Sequence, residues 1–238
     1  MVNITRRSFL SVAPAGLATL GTLTGMHPST EAQLVWKTSD WKIAAFRALT
    51  EEQARIKQLY DITQIAEGRF LNNIKNSLNG LQFGFGIPDK QVKIVTALHG
   101  PANLLNFDDY VWSKYQVGQW LNIIDPMTGS PAVKNIFYRS KNGLTGHTVS
   151  KDPNDPGSIY QDTSVEALQS RGVQFLACHT ATEEQARVLV RRNNLPQSPE
   201  SVVEDMLAHT VPGVLVVASM VAAIALLQAE GRYTYITV

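Results

Sequence analysis

Gly172-Val173-Gln174-Phe175-Leu176-Ala177-Cys178-His179-Thr180-Ala181 is the stretch on which the reading of this chain turns. A glycine stops the helix predicted over Ser164 to Arg171. The mostly apolar run Val173 to Ala177 then has the length and composition of a buried strand. The run ends at Cys178-His179-Thr180, and a helix is predicted from about Thr182 to Asn193. Strand followed directly by helix is the repeating unit of a layered α/β protein, and the chain's single cysteine stands at the junction.

Units of the same kind lie on either side. Upstream, Val92-Lys93-Ile94-Val95-Thr96-Ala97-Leu98 reads as a buried strand ending at His99-Gly100-Pro101, with a helix over residues 108–124. Downstream, Ser198 to Ala208 reads as a helix with Pro199 in its first turn. A strand over Val214 to Val217, a helix over Ser219 to Glu230 stopped by Gly231, and a last strand over Tyr233 to Val238 follow. The apolar run Val211 to Leu227 raises a membrane span as an alternative. Pro212-Gly213 at its start, the change to Ala and Leu content at Ser219 and the polar close at Gln228 to Gly231 favour strand then helix. The fold class expected is α/β, a three-layer α/β/α domain with a mainly parallel sheet. Residues 125–162, rich in Pro, Gly, Asn and Asp, are expected to be a long loop insertion in it.

Between Asp40 and Leu81 apolar residues recur at helical spacing, which predicts two or three amphipathic helices. Thr50-Glu51-Glu52-Gln53 has the pattern of a capping box, with Thr50 as N-cap. The same hexapeptide, Thr-Glu-Glu-Gln-Ala-Arg, recurs at 182–187 and reads as a second, independent helix start. The organisation expected is therefore a signal over 1–32, a helical segment over 33–88 and the α/β domain over 89–238.

Arg6-Arg7-Ser8-Phe9-Leu10, followed by an uncharged stretch from Ser11 to Thr30, resembles a twin-arginine export signal, with cleavage expected after Ala32. The apolar part is short and broken by Gly and Thr, which disfavours a membrane anchor. The resemblance implies a periplasmic protein that folds before export and meets the twin-arginine translocase on its way. Loss of Arg6, Arg7 and Glu31 leaves the remainder neutral, starting from a net charge of +1. A neutral chain offers no phosphate-neutralising face, so no nucleic-acid partner is expected. One cysteine allows no internal disulfide.

Cys178 and His99 each follow the apolar core of a predicted strand, the end of an open sheet where ligands bind. A thiol ahead of a helix, with an imidazole nearby, would be favoured as thiolate; the commoner fate of a lone strand-end cysteine is inert burial. The segment 172–181 resembles the active-site strand of the DsrE/DsrF-like sulfur-relay family. Residues 93–100, 211–217 and 227–233 match its other strands and turns in order. The resemblance implies that Cys178 accepts and passes on sulfane sulfur as a persulfide, with a sulfur donor or acceptor protein or small sulfur compound as partner, and that the protein forms homo-oligomers. His99 is the expected acid/base or orienting partner, and His179, Gly100 and Asp108 are binding candidates. Asp108 and Asp109 suit helix capping better than orientation of His99, and His147 and His209 read as surface residues. No spacing of ligands suggests a metal, and no motif suggests a cofactor. A non-catalytic binding or assembly module on the same fold is the alternative.

Overall fold

A computed structural model describes residues 38–141 and 143–237. The expected export signal and its cleavage site lie outside them. Five parallel strands form one sheet in the order β4-β3-β2-β1-β5: β1 (Ile56–Ile62), β2 (Val92–Leu98), β3 (Gln174–Cys178), β4 (Leu215–Val217) and β5 (Thr234–Thr237). The helices are α1 (Ile43–Thr50), α2 (Arg69–Asn79), α3 (Asp109–Lys114), α4 (Val117–Leu121), α5 (Val165–Ser170), α6 (His179–Arg192), α7 (Pro199–Ala208) and α8 (Met220–Ala229). From β1 to β4 each crossover moves one strand in the same direction. The last connection, through α8, returns across the whole sheet to place β5 beside β1. The strand order therefore reverses between β1 and β5.

Side-chain alternation divides the core in two. Tyr60, Ile62, Ile94, Leu98 and Phe175 face a layer built from α2, α3, α5, α6 and α7, where Ile74, Trp112, Leu168, Leu189 and Met206 are buried. Leu59, Val95, Ala97, Leu176, Cys178 and Val217 face the opposite layer, against Leu49 of α1 and Met220, Ala223 and Leu227 of α8. Helices thus cover both faces, and the chain is the three-layer α/β/α protein expected. Among the described residues no helix is long and apolar enough to cross a membrane.

The stretch expected to be purely helical contains a strand. Ile56, Leu59 and Tyr60 satisfy helical spacing, but a run of seven residues also fits alternation. Burial decides between them: β1 sits inside the sheet and puts Tyr60 and Ile62 into one layer and Leu59 into the other. Thr50 correspondingly ends a helix where it was expected to start one. Its hydroxyl donates to the Arg47 carbonyl, 2.9 Å away, and Glu52 receives the Gln53 and Ala54 amides in the turn that follows. The second copy of the hexapeptide lies within α6, which starts at His179 because Cys178, and not Thr182, is the capping residue. The helix expected over 108–124 is broken at Gln116, which has φ +53°.

Gly118 in α4 touches the loop strand so closely that an added Cβ would stand 2.2 Å from the Ala132 carbonyl oxygen. The loop insertion is otherwise anchored by polar groups. Asn135 is buried and donates to the Leu105 and Phe107 carbonyls at 2.9 and 2.8 Å. His147, expected at the surface, has a side chain only 7% exposed, because its Nε2 pairs with Asp162 at 2.9 Å beneath the returning loop. Burial pushes the Asp162 carboxyl up, but the Ser140 hydroxyl, the Ser164 amide and hydroxyl and His147 together outweigh it and hold the group below its ordinary range.

Gly118→Ala should cost about 2–3 kcal/mol, since backbone at both sides of the contact resists displacement; chemical denaturation measures it. Asp162 has a depressed carboxyl, so its stabilising contribution is complete above the unfolded-state value, about pH 4, and is lost as pH falls through the lower folded-state value. Asp162→Asn should therefore reduce stability at neutral pH and flatten its decline at the acid end, as followed by urea titrations at several pH values.

Candidate functional site

Cys178 is the last residue of β3 and the first cap of α6, and two helices begin around its sulfur. Sγ accepts the Ala181 amide of α6 at 3.4 Å and the Met220 amide, the first residue of α8, at 3.3 Å. The Thr180 hydroxyl lies 3.0 Å from it. Both helix starts direct their partial positive charge toward the sulfur. The residue is nonetheless 3% exposed, with Leu176, Val217 and Ala181 among the apolar residues of its cluster. Its own amide donates to Asn103 Oδ1 at 2.9 Å, and Asn103 Nδ2 donates in turn to Thr182 Oγ1 and Gln185 Oε1. This carboxamide, fully buried, clasps the strand-to-helix turn from the loop that follows β2.

The sheet register pairs Leu98 with Ala177, so His99 and Cys178 are the next residues along adjacent parallel strands. Their chemistry is separate all the same. His99 Nε2 is 2.6 Å from Asp61 Oδ1, and no hydrogen bond joins the imidazole to the thiol. Asp61 Oδ2 receives the Tyr235 hydroxyl, a bond that, with burial adding to it, pushes that phenol up. The expected Cys–His pair is thus replaced by a Tyr235–Asp61–His99 relay across β5, β1 and β2, at the point where the strand order reverses and ligands of open sheets bind. The imidazole and carboxylate remain partly exposed there, at 23% and 16%.

The remaining candidates have other partners. His179 is held between Asp40 and Glu183, each at 3.0 Å, with Trp41 edge-on at 5.2 Å. Gly100, at φ +53°, lets the chain turn tightly past the Thr63 carbonyl, and its own carbonyl accepts Gln185 Nε2 at 2.6 Å. Asp108 caps α3 by accepting the Tyr110 and Val111 amides. Its other oxygen pairs with His209, which stacks on Tyr110 and is about one-third exposed, so Asp108 orients that imidazole and not His99.

Asp61, Tyr235 and Asn103 are the groups that sequence reasoning passed over. Asp61 was hidden by the helical reading of its segment. Asn103 had a usable signal, an amide inside the apolar run Ala102 to Leu105. An apolar groove of about 270 Å³ opens at the end of β4, the strand next to Cys178, between the start of α1 and the start of α8. Trp41 and Phe46 line one wall, and Val217, the sheet partner of Cys178, and Ser219, which precedes Met220, lie on the other. Among the described residues no group of three or more His, Cys, Asp or Glu side chains is placed to hold a metal ion. Comparison with known proteins finds no family model that matches the chain and no curated protein similar to it.

Asn103→Ala should leave the Cys178 amide and the Gln185 side-chain Oε1 without partners, at about 1–3 kcal/mol for each group. Denaturant unfolding gives the cost, and the same variant should react faster than the parent with a thiol reagent, because the turn that shields Sγ loses its clasp.

Proposed function

We propose that this protein is an exported DsrE/DsrF-like thiol protein that carries sulfane sulfur on Cys178. The observation that carries the reading is the convergence of the Ala181 and Met220 amides on one sulfur at the amino ends of two helices. Such a setting favours the anionic sulfur needed both to attack a donor and to persist as a persulfide. With thiosulfate as donor, the Cys178 thiolate forms a bond to the outer sulfur while the bond from that sulfur to the sulfonate breaks. The electron pair of the broken bond leaves with sulfite, and the protein holds a persulfide anion. Charge balances, and neither a proton nor an external oxidant is required.

In this reading the apolar groove along Val217 and Ser219 is the approach, and a shift of the α8 start uncovers Sγ. The Tyr235–Asp61–His99 relay serves the donor or acceptor at the mouth of the sheet and does not deprotonate the thiol, since the imidazole is committed to Asp61. Arg6-Arg7 motivates export to the periplasm, and association into homo-oligomers and passage to a partner protein complete the proposal.

One observation favours the alternative of a non-catalytic module: the thiol is buried and its polar contacts are already satisfied within the protein. Mass spectrometry of the native protein after incubation with thiosulfate or polysulfide separates the two. The proposal expects a gain of one sulfur atom, removed by reductant, mapped to Cys178 and absent from Cys178→Ser. No gain under conditions that load a small-molecule thiol would leave the module reading in its place.

A further inference from the structure

We propose that the long loop insertion builds a separate binding site for a small organic anion, an oxyanion group on an apolar body, over the start of α2. A cavity of about 320 Å³ lies between the first turn of α2 and the returning loop, a size suited to a small metabolite. Four features give it a chemistry.

The first is an unanswered hydroxyl. Ser158 is 1% exposed and lines the cavity, yet its Oγ has no hydrogen-bond partner in the protein. Buried hydroxyls are rarely left so, because each loses its hydration without replacement. A ligand atom in the cavity would supply the missing bond.

The second is the amino end of α2, eleven residues long, which begins at Gly68 with no side chain capping its first turn. Gly68 and Leu71 both contribute to the cavity wall. The Gly68 and Arg69 amides donate to the Ile65 and Ala66 carbonyls, so what the helix start offers the space before it is its partial positive charge. Gly68 also has to be glycine: at φ +75° an added Cβ would stand 2.8 Å from the Phe137 ring, which forms part of the same wall.

Charge is the third. Lys141 lines the cavity, and no carboxylate pairs with it among the described residues. Arg139, also in the wall, is bound to Glu166 at 2.8 Å. Of the two acidic side chains there, Glu67 is turned to solvent beside Arg69, at 84% exposed. Asp162 already accepts from Ser140, His147 and the Ser164 amide. Lys141, the Ser158 hydroxyl and the positive end of α2 together fit a carboxylate or phosphate group.

The fourth is the apolar part of the wall, where Leu71, Ile136, Phe137 and Pro156 would cover a hydrocarbon or ring. This site involves none of the groups around Cys178, and it does not rest on the sulfur reading.

Benzoate, phenyl phosphate and the neutral benzyl alcohol, titrated into the protein with amide NMR shifts as readout, provide the test. Saturable shifts centred on Gly68, Lys141 and Ser158 are expected for one or both anions and not for the alcohol, and the comparison of the two anions tells carboxylate from phosphate. Lys141→Ala and Ser158→Ala should each weaken binding by about tenfold. Because the Ser158 hydroxyl bonds to nothing in the empty protein, Ser158→Ala should keep or raise the unligated melting temperature. A melting temperature that falls in that variant, shifts located elsewhere, equal binding of the alcohol, affinities unchanged by both substitutions, or no saturable shift with either anion would overturn the proposal.

Discussion

The sulfur of Cys178 is a hydrogen-bond acceptor shared by two helices, and the layout of the crevice follows from that sharing. Sγ ties the end of β3 to the starts of both α6 and α8, which belong mainly to opposite layers of the fold. A side chain of another size or polarity would have to choose one helix. Cysteine suits the junction because its sulfur is large enough to reach both amides and apolar enough to sit among Leu176, Val217 and Ala181. The contacts that hold the two helix starts together are therefore the same ones that surround the sulfur.

Around that junction the polar groups divide into two kinds. Asn103 and Thr182 are sealed and fully bonded, and they hold the backbone of the turn. Asp61, His99 and Tyr235 sit where the strand order reverses and keep contact with solvent. A buried bonded amide fixes geometry, whereas a partly exposed relay can meet a ligand. The placement of the loop insertion, over α2 and away from Cys178, adds a third polar region whose hydrogen bonds, from Asn135 to Asp162, are internal to that side of the molecule.

Much of this was legible from residues alone. Val92 to Leu98, Val173 to Ala177 and Val214 to Val217 read as strands because their mostly apolar runs are short and bounded by glycine, proline and polar residues, and strands β2, β3 and β4 lie there. The helices at 165–170, 199–208 and 220–229 were marked by Gly172, Pro199 and Gly231. The placement of Cys178 and His99 at strand ends was also readable; that the two strands are neighbours is a fact of the assembled sheet. β1 was not, because seven residues with apolar groups at 56, 59, 60 and 62 serve either period, and what distinguishes them is a neighbour on each side that only the assembled sheet provides. That error concealed Asp61, and with it the true partner of His99. The burial of His147 was equally invisible, since it depends on a loop folding back over fifteen residues to bring Asp162 to it.

The shared acceptor can be measured directly through hydrogen exchange of the Ala181 and Met220 amides in the parent protein and in Cys178→Ala. With the sulfur removed, both amides should exchange about tenfold faster or more, while amides in the middle of α6 and α8 hold their rates. Unchanged exchange at both positions would mean that the sulfur does not join the two helices, and the account of the crevice built on it would fail.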